Sequence, residues 1–154
     1  MNEISANRDG TGLCVGIVRS RFNERVGLAM LDSCAKRLGE LSVAAEAITV
    51  VTVPGALEVP LALQKLAATG GFQALIALGA VIRGETYHFE IVANESAAGI
   101  AAVALDSGIP IANGILTTES DAQADSRINE KGRDCADAAV EMANLGRAID
   151  KLRS

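Results

Sequence analysis

The chain has 154 residues, enough for one domain with a substantial core, and 49% of them are hydrophobic. Its 14 Lys+Arg against 19 Asp+Glu give a net charge of −5, with no basic run or basic-aromatic patch, which excludes nucleic acid as the natural partner. A charged fraction of 21% and a mean hydropathy of +0.27 exclude a disordered chain and suggest that other subunits cover part of the apolar surface.

Residues 1–12 are polar and lack an apolar signal core, so a flexible arm is expected ahead of a single domain at 13–154. No apolar run reaches about 18 residues, and no membrane span is expected. Cys14, Cys34 and Cys135 are odd in number, far apart and without CxxC spacing. They read as reduced thiols of a cytoplasmic protein, not as a disulfide frame or a zinc site.

An apolar run at 13–18 predicts the first strand. Val26, Met30, Cys34 and Leu38 repeat every four residues and predict a helix, with Asn23 as its N-cap. The β-branched run 47–53 predicts a second strand, stopped by Pro54-Gly55. A helix carrying Leu57, Leu61 and Leu66 follows, with Pro60 tolerated near its first turn and Gly70-Gly71 closing it. The third strand spans 74–82. A helix over about 89–106 then puts Phe89, Val92, Ser96, Ile100 and Val103 on one face. The fourth strand is 109–116, and Thr118 precedes Asp121 by three, like a capping box. A short helix with Gln123 and Arg127 comes next, then a final helix with Cys135, Ala139, Met142, Leu145 and Ile149 on one face.

Alternating strands and helices with near-continuous apolar strands predict an α/β fold. It is a flavodoxin-like three-layer α/β/α sandwich with a four-stranded parallel sheet. In such sheets ligands bind beyond the carboxyl ends of the strands, so the residues there are the candidates. Phe22 after the first strand is either a hydrophobic staple or a ring that stacks on a flat heterocycle. Glu58 after the second either answers a helix dipole or binds ligand hydroxyls. After the third strand comes Gly84-Glu85-Thr86 and then His88, the only histidine. This string misses a P-loop because Glu stands where Lys is needed, which excludes nucleoside triphosphates. The backbone N–H groups there could still hold one phosphate. His88 is a structural histidine or an acid–base group. Arg127 is a solvated helix residue unless a phosphate meets it. There is no GxSxG, HExxH or Ser/His/Asp spacing. The residues by themselves indicate a small domain for an anionic ligand.

Together the motifs resemble the 6,7-dimethyl-8-ribityllumazine synthase family. The likeness is carried by Arg21-Phe22-Asn23, the run from Pro54 through Pro60, the run from Gly79 through Phe89, and the run from Asn113 through Glu119. Gln123-Ala124, Arg127 and Lys131-Gly132 complete it. The resemblance implies a transferase of riboflavin biosynthesis that condenses 5-amino-6-(D-ribitylamino)uracil with 3,4-dihydroxy-2-butanone 4-phosphate and releases phosphate. It implies that Phe22 stacks on the pyrimidine, with Asn23 beside it. Ala56, Leu57 and Glu58 bind the ribityl side, and Ala80, Val81 and Ile82 read the uracil edge through the backbone. Glu85 and Thr86 hold phosphate by their amides, Arg127 binds the same phosphate, Lys131 lies close by, and His88 shuttles protons. No metal and no cofactor is implied.

The family's site lies between neighbouring subunits of a pentamer, and riboflavin synthase is the implied functional partner. Asn113 departs from the pattern, because many relatives place an aromatic there. Residues 128–130 also make a shorter link than the Gly-rich stretch of shell-forming relatives, which favours a free pentamer. The competing reading is a pentameric flavin or lumazine carrier with little catalysis. An electron-transfer flavodoxin is disfavoured, because two arginines and Phe22 stand where a Ser/Thr/Gly-rich phosphate cradle belongs.

Overall fold

The computed structural model describes residues 1–84 and 87–153. Four strands, β1 (Val15–Ser20), β2 (Ile48–Val53), β3 (Ala74–Ile82) and β4 (Ile111–Thr118), form one sheet in the order β2-β1-β3-β4. All pairings are parallel, with Val15 opposite both Ile48 and Ala74, and Leu75 opposite Ile111. The helices are α1 (Glu24–Glu40), α2 (Val59–Ala68), α3 (His88–Ser107) and α4 (Asp121–Asp150). The architecture is the flavodoxin-like sandwich expected from the alternation of elements.

Two cores flank the sheet. On one side Met30, Cys34 and Leu38 of α1 and Ala136, Ala139 and Val140 of α4 pack on Val15, Ile17, Ile76 and Leu78. On the other, Leu63 of α2 and Val92, Ile100 and Val103 of α3 pack on Val18, Leu75, Ala77 and Ile115. The four-residue repeat of α1 is buried throughout, as the periodicity requires. The central strand β3 is buried along nearly its whole length, and its bounds match the apolar run. The edge strand β2 leaves Thr49 and Val50 exposed, because only one of its long sides is paired. β1 and β4 begin two residues later than their apolar runs suggest. Arg19, Ser20, Thr117 and Thr118 thereby become strand residues at the ligand end.

Two helical expectations are corrected. The short helix and the final helix are one, α4, with residues 128–130 inside it rather than forming a link. Its buried stripe runs through Ala124, Ile128, Gly132, Cys135, Ala136, Ala139, Val140 and Ala143, whereas Met142 and Ile149 are exposed. Small side chains win the core positions because α1 lies close by. A Cβ on Gly132 would sit 2.8 Å from Ser33 Cβ and 2.9 Å from the Met30 carbonyl oxygen. Gly132→Ala is therefore expected to destabilise the fold by about 1–3 kcal/mol, despite alanine's better helix propensity. Urea unfolding checks this, and an unchanged midpoint would show that the α1–α4 contact yields freely.

The cap of α4 also differs from expectation. Ser120, not Thr118, is the N-cap, its side chain accepting from the Gln123 N–H at 3.2 Å. Gln123 Oε1 in turn accepts from the Glu119 N–H at 2.8 Å. Thr118 instead donates to the Ser120 carbonyl.

The amino-terminal segment lies against α4. Arg8 pairs with Asp137 and Glu141, and Asn144 donates to the carbonyls of Asn7 and Asp9. The three cysteines are free thiols. Burial pushes Cys34 up to about 12 and Cys135 to about 11, so both stay protonated. No helix among the described residues is long and apolar enough to cross a membrane.

Candidate active site

The strand order reverses between β1 and β3, and a cleft of 510 Å³ opens there at the carboxyl ends of β1, β2 and β3. Two turns, the end of β3 and the start of α3 build it.

The first turn follows β1. Its backbone is tied to the exit of β2, with Arg21 N–H donating to Val53 O and Phe22 N–H to Pro54 O. Phe22 is left 71% exposed and lines the cleft, packed into no core cluster. Asn23 adopts a left-handed conformation, φ 59°, which asparagine tolerates better than most residues. It occupies the N-cap position of α1, but its side chain makes no capping bond. Its amide instead donates to the Ala80 carbonyl at 3.0 Å, which ties this turn to β3. One acceptor site of that carbonyl is thus taken within the chain.

The second turn is a 3-10 turn at Ala56–Glu58 that leads into α2, with Pro60 in the first turn where it costs no hydrogen bond. The opening N–H groups of such a turn have no partner within the helix. Glu58 is exposed, and its carboxylate curls back over Gly55, where an added Cβ would lie 3.6 Å from Oε2.

The end of β3 supplies Ala80, Val81 and Ile82 to the floor of the cleft. His88 is the first residue of α3, exposed and on the cleft wall. Phe22, Asn23, Ala56, Leu57, Glu58, Ala80, Val81, Ile82 and His88 are therefore brought together. Pro54, Phe89 and Val92, noted in the sequence as a strand stop and as one helix face but not as site residues, also line the cleft. Glu85 and Thr86 lie outside the described residues.

Arg127, Lys131 and Asn113 are not in this cleft. Arg127 and Lys131 stand one turn apart on α4 and line a second cleft of 440 Å³ along β4, with Thr117, Thr118, Glu130 and Asp134. The two clefts share no lining residue. Asn113 is exposed on β4, and its Oδ1 accepts from the Ile115 N–H at 2.9 Å. Among the described residues no group of three His, Cys, Asp or Glu could hold a metal ion.

Residues 12–147 match the family model for 6,7-dimethyl-8-ribityllumazine synthase. The chain is similar to 6,7-dimethyl-8-ribityllumazine synthase of Ralstonia nicotianae, 64% identical over 147 residues, covering 96% of this chain and 90% of that protein. The protein of that name from Cupriavidus necator is 62% identical over 148 residues, covering 96% and 89%. The one from Burkholderia multivorans is 60% identical over 152 residues, covering 99% and 88%.

The chain belongs to the 6,7-dimethyl-8-ribityllumazine synthase family.

Membership in the lumazine synthase family removes the electron-transfer flavodoxin from consideration, although the sheet order is the same kind. It also gives the near-miss P-loop string a place. Within the run from Gly79 to Phe89, Ala80, Val81 and Ile82 end β3, His88 opens α3, and all four line the same cleft.

Proposed function

We propose that this chain forms 6,7-dimethyl-8-ribityllumazine from 5-amino-6-(D-ribitylamino)uracil and 3,4-dihydroxy-2-butanone 4-phosphate, with release of phosphate and water. The observation that carries this is the meeting of Phe22, Glu58, Val81 and His88 in one cleft of a chain of this family. The Phe22 ring is the flat surface for the pyrimidine, and the backbone of Val81 and Ile82 meets the uracil edge. The open N–H groups at Ala56 and Leu57 and the Glu58 carboxylate meet the ribityl hydroxyls.

The amine of the pyrimidine attacks the ketone carbonyl, and loss of water from the carbinolamine gives an imine. Removal of a proton from carbon then expels phosphate, and ring closure with loss of a second water completes the lumazine. His88 carries protons in these steps. Amine and ketone are already reactive, so holding them together supplies much of the rate.

Phosphate release needs a cation, and the Arg127 and Lys131 cleft holds both candidates. Because that cleft is separate from the His88 cleft, the reading that unites them is a ring in which one copy's α4 and β4 face the next copy's cleft. A pentamer is the proposed assembly. Exposed Leu61 on α2 and Ile91 and Leu105 on α3 give it apolar surface to cover. Riboflavin synthase is the proposed consumer of the product, in the cytoplasm.

Absorbance in the near-ultraviolet and visible tests the reaction. Purified protein mixed with both substrates is expected to raise the lumazine band well above the spontaneous rate. Tight ligand binding with no acceleration would support a carrier instead. Phe22→Ala is expected to raise the KM for the pyrimidine by about 10-fold, the worth of one lost stacking surface. Unfolding should stay unchanged, because the ring is exposed. An unchanged KM would remove the stacking role.

A further inference from the structure

We infer that Arg83 is a positioning residue for His88, clamping the first turn of α3 to the ends of β3 and β4; the inference rests on the synthase reading. The Arg83 N–H donates to the Thr118 carbonyl at 2.9 Å, which carries the β3–β4 ladder one step past the Ile82–Thr118 pair. From this anchored backbone the guanidinium reaches three groups. Its Nη1 donates to Glu90 Oε1, its Nε lies 2.6 Å from Glu119 Oε2, and its Cζ sits 4.4 Å from the centre of the Phe89 ring. Phe89 and Glu90 are the two residues after His88 on α3, and Glu119 lies in the link between β4 and α4. One planar fork with several fixed donors can hold both carboxylates and the ring at once, which a lysine cannot.

The clamp is poorly explained as a stability device. The side chains of Arg83, Glu90 and Glu119 are 39%, 29% and 60% exposed, and ion pairs so open to water add little to folding. What such a fork fixes is geometry. His88 is the first residue of α3, and that helix start is what Arg83 grips. Among the described residues the other oxygen of Glu90 is buried with no hydrogen-bond partner, and Arg83 is the cation that compensates the carboxylate. The pairing also holds the Glu90 carboxyl below its usual range. The sequence offered one signal, an arginine directly after an apolar strand with a glutamate seven residues on.

Steady-state kinetics with single and double variants test the inference. Arg83→Ala is expected to lower kcat by about 10-fold, because a small misplacement of a catalytic group is costly, while the KM values of both substrates change little. In a His88→Ala background the same substitution should have almost no further effect, since it acts through the histidine. Glu119→Gln, which leaves Glu90 paired, should show a smaller loss that also vanishes without His88. It covers the case in which Arg83→Ala fails to fold. Losses that multiply through in the His88→Ala background would overturn the inference. So would a rise in KM for the butanone phosphate at constant kcat, which would make Arg83 a binding residue. A wild type that forms no lumazine would remove the synthase reading itself, and the inference with it.

Discussion

Arg127→Ala is expected to raise the KM for 3,4-dihydroxy-2-butanone 4-phosphate by roughly 100-fold, with the KM for the pyrimidine nearly unchanged. A guanidinium meets a phosphate through paired, charge-assisted hydrogen bonds, worth about 1.5–3 kcal/mol when one partner is removed. The upper end applies in a site closed by a second copy, where water competes less. Arg127 is exposed on α4 and belongs to no buried cluster, so the variant should fold as the wild type does. Arg127→Lys should recover only part of the affinity, because an ammonium lacks the planar fork. Steady-state kinetics with each substrate varied in turn checks this. An unchanged KM for the phosphate substrate would exclude Arg127 from the site.

His88→Ala is expected to behave in the opposite way, with kcat falling about 100-fold and both KM values staying within about threefold. The effect sits at the low end for a general acid–base group, because alignment of two reactive partners persists without the imidazole. His88 is exposed at the first position of α3, and its loss removes no core packing. Normal turnover in this variant would sink the proton-transfer role and leave the stacking and phosphate contacts in place.

The elements whose burial follows one simple period were legible in the sequence. The repeat Val26, Met30, Cys34 and Leu38 named the buried face of α1, and the run 74–82 named β3, because a central strand is buried on both faces. Legibility failed where neighbours decide. Val50 looks like a core residue of a β-branched strand, yet it is exposed because β2 is an edge. Met142 and Ile149 look like a stripe on α4, but α1 approaches too closely for large side chains, and alanines take the core positions.

The same distinction divides the site. Phe22, Glu58 and His88 were legible as candidates because each follows the carboxyl end of a strand, whereas Asn23, Ala56, Leu57, Ala80, Val81 and Ile82 entered the site only through the family resemblance. That Asn23 spends its amide on Ala80 rather than on a helix cap was not legible, because both uses follow from the same residue at the same turn. Nor does sequence spacing reveal that Arg127 lines a different cleft from His88. Chain order fixes which element follows which, while the strand order β2-β1-β3-β4 puts β4 at the far edge of the sheet.

That separation makes the central claim, synthesis of lumazine at a site shared between copies, directly measurable. His88→Ala and Arg127→Ala chains would be unfolded together in equal amounts, refolded and assayed for the lumazine band with the butanone phosphate near the wild-type KM, where each variant alone is nearly inactive. In a closed ring with random mixing, about a quarter of the interfaces join an intact His88 cleft to an intact Arg127. Recovery of about a quarter of the wild-type rate is the expected result. No recovery above the two separate variants, in a mixture that does co-assemble, would contradict the account, since no interface would then have rebuilt a working site.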